Sequence, residues 1–319
     1  MFFLQLRLML LVSMLFAIIY AIIMMIGVSL GIHNLMFYFV GAVGVMLVQY
    51  LIGPKMVEMT MRVKYVTRKE YPRLFEIVES LAIRAEIPMP RFAISQIELP
   101  NAFAFGRSLK DGRVCVTQGL LDLLNDQELK AVLGHELSHL KSRDVVTISL
   151  LSVIPMVLYF IYLRFSFGGY RRDERNSNGM LIGLAAFIFY LITNLLVLYG
   201  SRIREYFADR GSIALGNSPS SLASALYKLV YGAARTDKES IKEVEGLKAF
   251  FASDPSRALS EIRELKALDR DRSGTIEPSE LEALRKKEIK VGFGDKMMEL
   301  YSTHPNMLKR IKQLSQYQS

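Results

Sequence analysis

The chain has 319 residues, 51% of them apolar and 22% charged, with a mean hydropathy of +0.24, values that point away from an ordinary soluble globule and toward a membrane component. Forty Lys and Arg against 31 Asp and Glu leave a charge of +9. The basic residues cluster beside apolar stretches and accompany no nucleic-acid-binding motif, which disfavours a nucleic-acid role, and the single cysteine, Cys115, excludes an intrachain disulfide framework and a cysteine-rich zinc site.

In chain order, the first predicted elements are membrane spans. No Asp, Glu, Lys or Arg occurs between Arg7 and Lys55. Within that stretch Met9–Leu30 and Leu35–Ile52 flank the short polar break Gly31-Ile32-His33-Asn34. At ~1.5 Å per residue each segment reaches or approaches the ~30 Å of a bilayer core, so a transmembrane helical hairpin is predicted. A second hairpin is predicted over Val145–Leu163 and Met180–Tyr199, less purely apolar because it contains Pro155, Thr193 and Asn194. The alternative for this pair is a buried or interfacial hairpin. Lys55, Arg62, Lys64, Arg68, Lys69 and Arg73 follow the second span and assign that side to the cytoplasm. Arg164, Arg171, Arg172 and Arg175, between spans three and four, oppose the same rule.

Residues 125–144 carry the chemistry. Asn125 and Glu128 have capping-box spacing, and Leu129, Val132, Leu133, Leu137 and Leu140 form one apolar stripe, so a helix is predicted with that stripe toward a core. On it His135 and His139 are four residues apart and project side by side, as two corners of a zinc site require. Glu136 stands beside the first ligand, where it can take a proton from water without binding the metal. No third histidine follows closely, so the third ligand is expected from a carboxylate on a second helix. In Ser201–Asp209, Glu205 and Asp209 are again four apart: Glu205 can bind the metal while Asp209 accepts the second N–H of a ligating imidazole. The histidine helix ends just before span three and Glu205 comes just after span four, so two crossings return all three ligands to one side.

The segment His135-Glu136-Leu137-Ser138-His139-Leu140, the segment Ser201–Asp209, the upstream Asn101-Ala102-Phe103-Ala104-Phe105-Gly106 and the late Ser302-Thr303-His304-Pro305 with Lys309-Arg310-Ile311 together resemble the HtpX family of membrane zinc endopeptidases. The resemblance covers most of the chain. It implies a cytoplasm-facing gluzincin domain that cleaves membrane proteins, often damaged or misassembled ones, with one catalytic Zn2+. It also implies that Asn101, Ala102 and Phe103 lie on an edge strand that receives the substrate backbone, and it makes His304 a candidate for stabilising the developing oxyanion, with Arg202 a further one. From the residues themselves, Phe103–Leu109 and Arg113–Thr117 around a Lys-Asp-Gly-Arg turn predict a hairpin, and an edge strand can bind an extended peptide by strand addition.

Residues 269–280 match a second motif, the calcium loop of an EF-hand. Asp269, Asp271, Ser273, Glu277 and Glu280 occupy positions 1, 3, 5, 9 and 12, Thr275 offers its carbonyl at 7 and Gly274 permits the turn at 6. Leu259, Ile262 and Leu265 before it and Leu281 and Leu284 after it predict flanking helices. The HtpX pattern has no such loop, so Ca2+ enters as an additional ion.

The expected architecture is thus a mainly α membrane protein, with two transmembrane helical hairpins and a zincin-like α+β catalytic domain holding a small sheet. Residues 1–54 and 145–200 form the hairpins, and 55–144 and 201–319 assemble one protease domain. The expected function is a membrane-anchored zinc endopeptidase acting on membrane or misfolded proteins, multi-pass in the cell membrane. Its rivals are a CAAX-type prenyl-protein protease and a calcium-responsive membrane scaffold with an idle zinc site.

Overall fold

The computed structural model describes residues 51–167, 177–235, 261–262, 265, 268–287 and 292–317. The first expected hairpin lies outside these residues, apart from Leu51 and Ile52 at the start of a helical segment over 51–60. Among the described residues, those of Gly53–Val145 and Arg202–Ser319 form one compact unit and those of Val146–Ser201 belong to another.

The first of these units is organised on a four-stranded mixed sheet in the order β1-β2-β4-β3. The strands are β1 (Val63–Tyr65), β2 (Arg91–Ser95), β3 (Ala102–Phe105) and β4 (Arg113–Thr117). β2 and β4 run parallel with Ala93 opposite Cys115, while β1 on β2 and β3 on β4 are antiparallel, Phe103 facing Cys115. Helix α1 (Pro72–Ala85) connects β1 to β2 and buries Leu74, Val78, Leu81, Ala82 and Ala85 on one face. The strands are short runs of apolar and β-branched residues, and the central pair is buried almost throughout, as strands covered on both faces must be.

The predicted hairpin is present with a shorter first strand. β3 stops at Phe105 because Gly106 adopts φ 142°, where any Cβ would run into the Asp111 carbonyl. The chain then makes a 3-10 turn, Leu109–Asp111, capped by Ser108, and the Asp111 carboxylate accepts from the backbone N–H and Nε of Arg107. Local hydrogen bonding therefore replaces the four further residues of strand that alternation alone predicted.

After α2 (Gln118–Leu123) comes α3 (Asp126–Lys141), the helix expected from the capping box. The Asn125 side chain accepts from the N–H groups of Gln127 and Glu128 at 3.0 Å each, and Glu128 returns the bond to the Asn125 N–H at 3.0 Å. Leu129, Val132, Leu133, Leu137 and Leu140 are all buried, so the predicted stripe is the core face. β3, α1 and α6 (Pro219–Arg235) pack around α3.

The apolar stretches after it are helical: α4 spans Asp144–Phe167, with Pro155 inside it, and α5 spans Ser177–Ala214. Gly179–Ala214 is long and apolar enough to cross a membrane, the one such helix among the described residues, and its apolar run ends at Tyr199, before Arg202, Arg204 and Glu205. Beyond the EF-hand-like loop lie α7 (Pro278–Lys286), α8 (Phe293–Leu300) and α9 (Met307–Leu314).

Candidate metal centre

Two helices bring the donors together, and small residues let them do so. Where α3 meets the C-terminal part of α5, Gly134 faces Ser212 and Asn217, and Gly211 faces Ser138; a Cβ on either glycine would collide with those side chains. Ser212 Oγ donates to the Ala131 carbonyl at 2.6 Å, crossing between the two helices. This close approach sets Glu205 opposite the histidine pair.

His135 and His139 present their Nε2 atoms to one point, 3.1 Å apart, with ring planes at 88°. Glu205 Oε2 lies 3.6 Å from His135 Nε2 and Oε1 lies 3.4 Å from His139 Nε2. The three donors thus form a small triangle of one carboxylate and two imidazoles, His135 and Glu205 buried and His139 partly exposed, the donor set zinc prefers. Each imidazole is held from behind. His135 Nδ1 is 2.8 Å from Asp209 Oδ1, and His139 Nδ1 is 2.7 Å from Asp144 Oδ2, an arrangement that favours the Nδ1–H tautomer, which turns both Nε2 lone pairs inward. These residues fit a zinc ion.

The carboxylates behind the histidines are themselves fixed by buried arginines. Arg310, fully buried on α9, donates through Nε and Nη2 to the two Asp209 oxygens at 2.9 and 2.6 Å, and its Nη1 is 3.0 Å from Glu205 Oε2. Arg204 holds Asp144 by Nη2 to Oδ1 at 3.0 Å and by Nη1 to the backbone carbonyl. Burial on its own would raise the Glu205 and Asp209 pKa values. Arg310 and the facing histidines more than offset it, keeping both below the usual carboxylate range. Glu136 has no such cation paired to it. Burial carries its pKa above the usual value, against the pull of His135 and His139.

His304 closes the site. Its Nδ1 is 3.2 Å from Glu205 Oε2, and neither ring nitrogen makes a hydrogen bond within the protein. Arg202, the further oxyanion candidate, uses its Nη1 to donate to the carbonyls of Glu299, Leu300 and Ser302 at 2.8, 3.2 and 2.7 Å, bracing the loop that carries His304. Asn101, Ala102 and Phe103 lie on the β3 side of α3. The Asn101 N–H donates to Thr117 Oγ1 at 2.8 Å, its carbonyl accepts from the Thr117 N–H at 2.9 Å, and the side chains of all three residues are buried. β3 is an edge strand, its outer side unpaired by any described strand.

Asp144, Arg204 and the role of Arg310 were not foreseen from sequence. Asp144 has a visible signal, an acid one residue before an apolar run of helix; a buried arginine has none until its carboxylate is located.

Of the EF-hand positions, Asp269, Asp271 and Glu280 bring carboxylate oxygens within 4.8 Å of one another. Asp269 accepts from the N–H groups of Ser273 and Gly274 at 3.0 Å each and from Tyr227 Oη at 2.9 Å. Ser273 Oγ bonds Thr275 Oγ1, and Glu277 is the N-cap of α7, where its N–H donates to Glu280 Oε2. A cavity of about 660 Å³, lined by Tyr227, Lys228, Tyr231, Asp269 and Arg272, lies beside this loop and away from the histidines.

Two imidazoles and a glutamate from a separate helix, with a second, unpaired glutamate between the histidines, define a zinc metallopeptidase of the gluzincin type. The chain belongs to peptidase family M48, whose family model matches residues 68–318. It is 52% identical over 227 residues to the protease HtpX homologue of Methanothermobacter thermautotrophicus, covering 71% of this chain and 86% of that one. To the protease HtpX homologue of Moorella thermoacetica it is 38% identical over 273 residues, 84% of this chain and 79% of that one. A crystal structure of Ste24p from S. mikatae is similar in fold, with a TM-score of 0.50 at 16% identity, covering 98% of this chain and 67% of that one. The protein is a membrane zinc metalloprotease.

Proposed function

We propose that this protease is a multi-pass protein of the cell membrane, its catalytic domain in the cytoplasm, cutting membrane or misfolded proteins as a quality-control endopeptidase. In this reading residues 1–54 and 145–200 are two hairpins that cross the bilayer, and 55–144 with 201–319 make the catalytic domain. The observation that carries the reading is the convergence of His135 and His139, on the helix before the second apolar pair, with Glu205, on the helix that continues out of it.

Those three residues would hold zinc, which when bound polarises a peptide carbonyl and acidifies water. Everything else is done by the chain. Glu136 accepts the proton of the attacking water and returns it to the leaving amine; burial raises its pKa, the direction that makes a carboxylate a better proton acceptor. Asp209 and Asp144 keep the two imidazoles in one tautomer. His304, with ring nitrogens free of hydrogen bonds within the protein, donates to the oxyanion as charge develops on it. The edge of β3 from Asn101 through Phe103 adds the substrate as a further strand, so selection acts on extended, unfolded segments.

The loop 269–280 is proposed to take Ca2+ through Asp269, Asp271, Ser273, Thr275, Glu277 and Glu280. Without a partner hand its affinity should fall near ~10⁻⁴ M, which makes the ion structural rather than a sensor of resting cytosolic calcium. Calorimetry on the full-length protein should show one weak site that Glu280→Gln removes; no heat at millimolar calcium discards it.

The decisive test of the protease reading is Glu136→Gln. Zinc content should remain at one per chain while casein cleavage falls to background, because the ligands survive and the proton acceptor does not. Cleavage near the wild-type rate removes Glu136 from the mechanism.

A further inference from the structure

The last turn of helix α8 turns its acid inward and its apolar side chains outward. Glu299 faces inward and is buried, accepting from the Asn306 N–H at 3.3 Å and pairing with Lys309 Nζ. Met297, Met298 and Leu300, with Tyr301 directly after the helix, are 45%, 47%, 45% and 68% exposed. Positions 297, 298 and 301 are one and four residues apart and share a side of the helix. A surface helix in water orients the other way, its apolar stripe toward the core. A group of large apolar side chains held outward by an inward carboxylate marks an interaction surface.

The end of this helix is fixed by Arg202. Its guanidinium takes the carbonyls of Glu299 and Leu300 in the last turn, the first of which also accepts from the Ser302 N–H, and that of Ser302 beyond it. Arg202 comes three residues after Tyr199, where the apolar run of α5 ends, about 4.5 Å further along the same helix. The C-terminal end of α8 is therefore gripped by a residue within one helical turn of the membrane-spanning run. Four residues are far fewer than the roughly 20–30 per side of a stable protein interface, whereas an interfacial helix needs only a shallow apolar face with an aromatic at the headgroup level.

We propose that Met297, Met298, Leu300 and Tyr301 dip into the interfacial layer of the lipid bilayer, making α8 a second, monotopic membrane contact that holds the adjoining Ser302–His304 loop at the membrane surface. The proposal rests on the reading that α5 crosses the bilayer. Its consequence is that segments of substrate emerging from the membrane meet the catalytic site at once, while soluble substrates gain nothing from the contact.

The chain contains no tryptophan, so a single introduced one reports without background. Full-length Met298→Trp is reconstituted in nanodiscs whose lipids are brominated either high or deep on the acyl chains, beside Leu191→Trp in the apolar run of α5 and Ile83→Trp on α1, both at exposed positions. Met298→Trp should be quenched by the shallow bromines, Leu191→Trp by the deep ones and Ile83→Trp by neither. Quenching at Leu191 with Met298→Trp as silent as Ile83→Trp overturns this proposal alone; no quenching at Leu191 sinks the spanning helix and the proposal with it. A response at Met298 only when an unfolded peptide is added assigns the face to substrate and also overturns it. The double variant Met298→Glu/Tyr301→Glu should keep its zinc and its casein cleavage yet cut a membrane-embedded reporter roughly fivefold or more slowly. Equal rates on both substrates would show that the face does not position the site.

Discussion

Arg310 illustrates how much of the centre depends on residues that never meet the metal. Its guanidinium ties Asp209 behind His135 and also touches Glu205, so one fully buried cation supports two of the three ligands. Removing it strands two buried carboxylates, a change that costs about 3–5 kcal/mol in comparable buried pairs. The pH dependence follows from the lowered Asp209 pKa. A carboxylate whose folded pKa is below its unfolded value near ~3.9 contributes stability that is fully present above that value and lost as pH falls through the folded one. In Arg310→Met the folded pKa rises, so the acid-unfolding midpoint of the chelated protein should move to higher pH, as circular dichroism would record. An unchanged midpoint would mean that the ion pair is not a stabilising feature of the metal-free protein. Asp144 and Arg204 form the corresponding pair behind His139, and Asp144 is also the first residue of α4, so the tautomer of one ligand is set where the chain leaves the catalytic unit.

Among the elements, the pairing of α3 with the end of α5 decides whether there is a site at all. Each helix carries half of the metal chemistry, and the two approach closely only because Gly134 and Gly211 lack side chains. Gly211→Ala places a methyl group against Ser138 and forces the helices apart. We expect a loss of about 1–3 kcal/mol in stability and weaker zinc retention on dialysis, measurable by thermal unfolding and metal analysis. Unaltered zinc affinity would show that the crossing has slack. The capping box on α3 and its apolar stripe were legible in the sequence, because both are local patterns of three to five residues. The end of β3 was not. Alternation continued through the sequence past Phe105, but the positive φ at Gly106 and the bonds from Arg107 to Asp111 redirect the chain, and neither competes visibly in a hydropathy pattern.

For the whole molecule, the placement of the unit Gly53–Val145 with Arg202–Ser319 on one side of the membrane is the condition for His135, His139 and Glu205 to share an ion. Single cysteines at positions 110 and 240 on a Cys115-free background should therefore label from the same, cytoplasmic side. Opposite labelling would break the site, whereas a cysteine at 170 that labels from that side would show only that α4 and α5 return without crossing. What the sequence by itself determined is the donor pattern and the family: two histidines four apart with a glutamate between them, Glu205 and Asp209 on one helical face, and the motifs of a peptidase of family M48. Those depend on identity and on periods of four residues, which a linear chain displays. What only the tertiary structure decided is who stands behind these donors: Asp144 for His139, Arg204 for Asp144, Arg310 for Glu205 and Asp209, and Arg202 for the His304 loop. Apart from the Asp144–His139 pair, these contacts join residues 60 or more positions apart, and a buried charge reveals its role only when its counter-charge is found beside it.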